Sequence, residues 1–157
     1  MSHARQENGQ LKQIAPEVYD AVAHLAQLAG KAGLDKQLLE LLKIRASQIN
    51  GCAFCVQYHI LIAEKLGVPA DKINLVVVWR ETPQFSKRER AALAWTEAVT
   101  LISETHAPDD VYNEVRAQFS EAETVNLTML IATINAWNRL AISFRSVPPV
   151  KVSATAA

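Results

Sequence analysis

From Ser120 to Phe144 the chain carries apolar side chains at Val125, Leu127, Met129, Leu130, Ile131, Ile134, Trp137, Leu140, Ile142 and Phe144. At about 100° per residue they leave almost no polar side. A helix of that kind has to be covered over most of its surface, by the rest of the chain or by a neighbouring copy of it. Ser120 with Glu123 supplies a capping box at its start, and Pro148-Pro149 stops it. The pattern therefore predicts a final helix over roughly 120–146 and, from its all-round apolar surface, a homo-oligomer.

The preceding segments keep the helical period. Ile14-Ala15-Pro16 opens a first helix with Val18, Val22, Leu25, Leu28 and Ala29 on one stripe, ended by Gly30 and Gly33. Asp35 can cap a second, whose stripe is Leu38, Leu41, Leu42 and Ile49 with Arg45 among them. Asn50-Gly51 reads as its end, after which CAFCVQYHILIAEKL resumes the period until Gly67 and Pro69. Ala70 to Val78 reads as a short helix, although its valine-rich end also suits a strand. Ser86 with Glu89 forms another capping box and launches a helix over roughly 86–104; Pro108 to Phe119 is a smaller one. No segment of convincing length alternates with a strand period. The expected fold is all-α, a helical bundle in a single domain over 1–157, with 1–13 and 148–157 as loose tails and a cysteine pair at the start of a helix just after a helix-turn break.

Charge and composition narrow the function. Sixteen basic side chains balance sixteen acidic ones, which removes the electrostatic footprint of a nucleic-acid binder. The start, MSHARQENGQ, has no apolar signal core, and no run of eighteen apolar residues suits a membrane span. A cytoplasmic location is the expectation. There, a lone cysteine pair is catalytic, redox-sensing or metal-binding before it is a structural staple.

The two cysteines, Cys52 and Cys55, are the only ones in the chain, and His59 follows in step. On a helix these three fall within an arc of roughly 60°. Ala63 and Leu66 continue the stripe, which turns it towards the interior. Unpaired N–H groups at a helix start favour a thiolate, and a thiol of ordinary pKa is only about 3% ionised at pH 7. His59 can accept the thiol proton or return one to a leaving oxygen. A thiolate that attacks a peroxide becomes a sulfenic acid, which a second thiol within reach resolves to a disulfide.

Other readings of the same residues stay open. A structural zinc site needs a fourth ligand, and His3, His24 and His106 show no ligand spacing. Two inert buried cysteines with a core histidine have the same spacing. Trp79, Trp95 and Trp137 read as core or interface before they read as pocket walls. Arg139 and Arg145 suit the dipole of the last helix.

With these elements in place, the chain resembles the superfamily of the alkylhydroperoxidase AhpD and carboxymuconolactone decarboxylase, from about Leu38 to Arg145. The resemblance rests on E-x11-C-x-x-C-x-x-x-H, here Glu40, Cys52, Cys55 and His59, and on NAWNRLAISFR from Asn135. It implies an AhpD-like helical bundle assembling as a trimer or hexamer. It implies that Cys55 attacks a hydroperoxide, that Cys52 resolves, and that His59 and Glu40 relay protons. No bound cofactor or metal is implied; re-reduction would come from an external dithiol or a lipoylated partner protein. The helical wheel by itself places Glu40 beside Lys36, Lys43 and Ile44 as a solvated residue. AhpD enzymes also carry histidine where this chain has Phe54, which leaves room for a related thiol oxidoreductase. The expected function is thiol-dependent peroxidase; the alternatives are a decarboxylase-like enzyme and a non-catalytic redox sensor.

Overall fold

In the computed structural model, residues 5, 10–31 and 33–149 are described. Two helices carry the interior: α3 (Lys36–Ile49) and α9 (Glu121–Ser143). Around them run α1 (Gln10–Ile14), α2 (Pro16–Gly30), α4 (Ala53–Lys65), α5 (Ala70–Leu75), α6 (Lys87–Thr100), α7 (Ile102–Thr105) and α8 (Asp109–Gln118), with a 3₁₀ turn over Val76–Glu81 after α5. The described residues contain no strand, so the fold is all-α as expected.

α3 packs against α4, α6, α9 and the 3₁₀ turn, and this leaves it almost no free face. Leu38, Leu41, Leu42 and Ile44 join Leu93 of α6 and Leu127, Leu130 and Ile131 of α9 in the main core. Each fully buried side chain of this size contributes roughly 1.5–3 kcal/mol. A second, smaller cluster holds Ala46, Cys52, Cys55, Ile134 and Ala141, with Phe54 and Trp137 against it. Arg45, polar among the α3 leucines, donates to Glu97 at 2.7 Å; Trp79 and Arg80 bond the same carboxylate. That half-buried acid ties α3, the 3₁₀ turn and α6 together.

Both capping boxes form. Ser86 and Ser120 accept from the backbone N–H groups of Glu89 and Glu123 at 3.2 Å, and each glutamate accepts in return at 2.8 Å. Several expectations need correction. On α2, Ala29 is buried and Val22 half-buried as the stripe expects, joined by half-buried Tyr19, Ala23 and Ala26, whereas Val18, Leu25 and Leu28 are exposed. The helix begun at Ser86 breaks at Leu101 (φ −97°, ψ 35°), which separates α7 from α6. The valine-rich end after α5 is a 3₁₀ turn, not a strand. The last helix stops at Ser143, before the prolines act: Arg145 adopts φ 54°, and the N–H groups of Arg145 and Ser146 return to the carbonyls of Ile142 and Ala141. Residues 10–13, expected to be loose, lie in α1, and Arg5 hydrogen-bonds the carbonyls of Ser143 and Phe144. The rest of the expected tails, apart from Pro148 and Pro149, and His3 with them, lie outside the described residues.

The turn between α3 and α4 sets the site. Gly51 has φ +70°, its N–H returns to Gln48 at 3.2 Å, and the N–H of Cys52 returns to Ser47 at 2.9 Å. This pairing closes a helix with a left-handed residue. A Cβ at position 51 would meet no atom within 4 Å, so Gly51→Ala tests backbone strain alone. It should lower unfolding stability in urea by about 1–2 kcal/mol, and Gly51→Asn should lose less.

Candidate active site

Cys52 belongs to two helices. Its N–H is the last bond of α3, and its Sγ is the N-cap of α4, accepting the N–H of Cys55 at 3.4 Å. The Cys52 and Cys55 sulfurs lie 2.7 Å apart as free thiols, both buried. A hydrogen bond from the Cys55 thiol, opposed by burial and helped by the backbone N–H groups of Cys55 and Phe54 and by Asn138, pushes the Cys52 thiol down to about 7. Bonding to Cys52, together with burial, pushes Cys55 up. Above about 7 the pair shares one proton, and the α4 N-terminus favours the charge at Cys52.

His59 lies one turn beyond Cys55. Its Nδ1 is 2.7 Å from Oε2 of Glu40, whose Oε1 accepts from Lys43 at 2.6 Å. Burial works against the Glu40 carboxylate, but the bond from His59 and the charge and bond of Lys43 overcome it and hold its pKa below the ordinary value. An ionised carboxylate only accepts, so Nδ1 carries the proton and Nε2 is left to exchange protons elsewhere. The pattern-based placement of Glu40 in solvent is therefore corrected. It is 6% exposed, because α3 is packed on nearly every side, although its pairing with a lysine is present.

Above Cys55 and His59 opens a cavity of about 410 Å³, walled by Tyr19, Phe54, Tyr58, Leu130, Ile134 and Trp137, with Lys43 at its edge. Tyr19 meets Trp137 edge-to-face with centroids 4.9 Å apart, and Phe54 stacks on Tyr58 at 6.0 Å. Cys55 lines this cavity; Cys52 does not. The structure thus brings all four expected residues to one place. Leu66, expected on the inward stripe, is exposed at the C-cap of α4. Trp79 and Trp95 are core, whereas Trp137 is a cavity wall.

Sequence reasoning missed the aromatic wall and a buried amide network. Asn50 donates to Oδ1 of both Asn135 (2.8 Å) and Asn138 (2.9 Å); Asn138 donates to Ser47 Oγ at 3.0 Å, and Asn135 donates to Thr100 at 3.1 Å. The available signal was two asparagines three apart on an otherwise apolar helix, since buried amides need partners.

A model of the carboxymuconolactone decarboxylase family matches residues 16–98, which include Glu40, both cysteines and His59. The uncharacterized protein YdfG of Bacillus subtilis is 37% identical over 131 residues, 83% of this chain and 89% of that one. The chain belongs to the carboxymuconolactone decarboxylase family. A crystal structure of ATU0492 from Agrobacterium tumefaciens, a protein of unknown function, superposes with TM-score 0.89 at 44% identity, covering 95% of this chain and all of that one. A peroxidase-related protein from Ralstonia eutropha JMP134 with an alkylhydroperoxidase AhpD core matches at TM-score 0.78 and 20% identity, over 88% of this chain and 74% of that one, a likeness of fold. Helix α9, with Trp137 and Asn138, lies beyond the part of the chain matched by the family model.

No helix of the described residues is long and apolar enough to cross a membrane. Titrated at 240 nm, the reduced protein should show one thiolate per chain forming with a midpoint of about 7. Cys52→Ser should abolish that step; its survival would place the charge elsewhere.

Proposed function

We propose that this chain is a thiol-dependent peroxidase that reduces organic hydroperoxides, and hydrogen peroxide more slowly, by cycling Cys52 and Cys55 between dithiol and disulfide. The observation that carries the reading is a sulfur pair 2.7 Å apart, with one sulfur at the floor of a cavity shared with His59. Its kin support it: ATU0492 is named as a candidate antioxidant defence protein AhpD.

Nε2 of His59 first takes the proton that the sulfur pair loses; Cys55 then gives its own proton to the Cys52 thiolate and attacks the distal peroxide oxygen. The O–O bond breaks, and the alkoxide takes a proton from His59 and leaves as an alcohol. Cys55 is now a sulfenic acid. Cys52 displaces its hydroxyl, which leaves as water, and a disulfide forms. Two thiols and one hydroperoxide become a disulfide, an alcohol and water. An external dithiol or lipoyl-type donor restores the thiols by exchange. Glu40 orients His59 and keeps its Nδ1 proton in place.

With dihydrolipoamide as reductant, cumene hydroperoxide should be consumed with a higher kcat/KM than hydrogen peroxide, because the aromatic wall binds its ring. Cys55→Ser should lower turnover at least a thousandfold, and oxidation should remove two thiols per chain without covalent dimers. Full activity in Cys55→Ser sinks the reading. A family-type decarboxylation would instead survive loss of both thiols, and a redox sensor would form the disulfide with negligible turnover.

The proposal includes a homo-oligomer, trimer or hexamer. One chain leaves Val125, Met129 and Ile142 of α9 and Val18 and Leu28 of α2 exposed, an apolar surface suited to a second copy. Sedimentation should show a multiple of the 17.3 kDa chain, and a Val125→Glu, Met129→Glu double variant should dissociate it.

A further inference from the structure

Asn138 sits between Ile134 and Ala141 on the face of α9 that packs on Cys52 and Cys55, and it is fully buried. A buried primary amide has two N–H donors and a carbonyl oxygen to satisfy. Here the orientation is forced. The two N–H bonds of Asn50 go to the oxygens of Asn135 and Asn138, so the Asn138 oxygen faces Asn50 and its nitrogen faces the other way. One N–H of that nitrogen goes to Ser47 Oγ, on the residue whose carbonyl receives the Cys52 N–H. The other finds no oxygen acceptor among the described residues, and the sulfur pair lies against this same face of α9.

We propose that Asn138 is a thiolate-stabilising donor, an amide locked by Asn50 and Ser47 so that its remaining N–H serves the shared charge of Cys52 and Cys55. A thiol is a weak acceptor and a thiolate a strong one, so the buried donor is well satisfied only when the pair is ionised. Its effect on both thiols has the same sign: it draws each pKa down. The other ionisable groups around the pair are committed elsewhere. Glu40 and Lys43 of α3 pair with each other, His59 of α4 pairs with Glu40, and Arg139 of α9 bonds the Asn135 carbonyl. The inference deepens the redox reading and rests on it for its purpose, but it is tested on ionisation alone, without peroxide.

The experiment compares the natural protein with Asn138→Asp, Asn138→Ala and Asn135→Ala, following thiolate absorbance against pH and the rate of iodoacetamide alkylation at pH 6. Both Asn138 variants should raise the midpoint by about one unit and slow alkylation about tenfold. Asn135→Ala shares the amide network without facing the sulfurs, so it should lower the melting temperature and leave the midpoint in place. An unmoved midpoint in the folded Asn138 variants, or an equal shift in Asn135→Ala, overturns the proposal. Should the Asn138 variants fail to fold, the side-chain amide protons of Asn138 in the natural protein, identified by their contacts with Ser47 and Asn50, should shift in step with thiol ionisation. Their failure to shift overturns it as well. A moved midpoint in a protein without peroxidase turnover would refute the peroxidase and leave the role of Asn138 standing.

Discussion

The junction at Cys52 is the constraint on which the site depends. Its N–H completes the end of α3 and its sulfur caps α4, so backbone hydrogen bonds at both ends fix where the Cys52 sulfur lies. A charged sulfur accepts the N–H of Cys55 better than a neutral one, and the partial positive charge of a helix start adds to this. Folding and ionisation therefore support each other. The thiol lowered to about 7 contributes stability that is complete above the ordinary thiol pKa and is lost as pH falls from there through about 7, because the unfolded chain holds the proton more tightly.

A second buried charge stands one turn away. Glu40 would be costly inside α3 without partners, and each of its oxygens has one. Its lowered pKa means that its stabilising contribution is present above the ordinary carboxylate range and disappears as pH falls through the folded value. The arrangement also fixes the histidine. With Nδ1 held by a carboxylate, the ring has one orientation and one free nitrogen, which is what a proton carrier beside a leaving oxygen requires.

Most helices could be read from period and caps, since Ser86, Ser120 and Gly51 act through bonds within a few residues. Glu40 could not, because a helical wheel assumes one solvent face and α3 has almost none; the family spacing, not the pattern, led to it. The α2 stripe departs from its pattern at Val18, Leu25 and Leu28 for a related reason. Its packing is decided by the small residues Ala23 and Ala26 against α9, and the larger Val18 and Leu28 fall on the other side. The break at Leu101 left no local mark that distinguished it from a continuing helix. Asn135 and Asn138 are visible as polar residues in an apolar helix, but Thr100, Asn50 and Ser47, which bond them, lie 35 to 91 residues away in sequence, beyond any local rule.

The division of labour between the sulfurs follows from the same geometry. The charged one, Cys52, is covered; the one open to the cavity, Cys55, holds the proton at rest. An accessible thiolate reacts with whatever oxidant reaches it, whereas a protonated thiol does so slowly. In the proposed reaction the nucleophile is formed by moving one proton across the 2.7 Å between the sulfurs, a short transfer that leaves no unpaired charge in the apolar cluster. The burial that makes a second thiolate costly keeps the pair from carrying two charges, and in the proposed reaction the aromatic wall selects the hydroperoxides that reach Cys55.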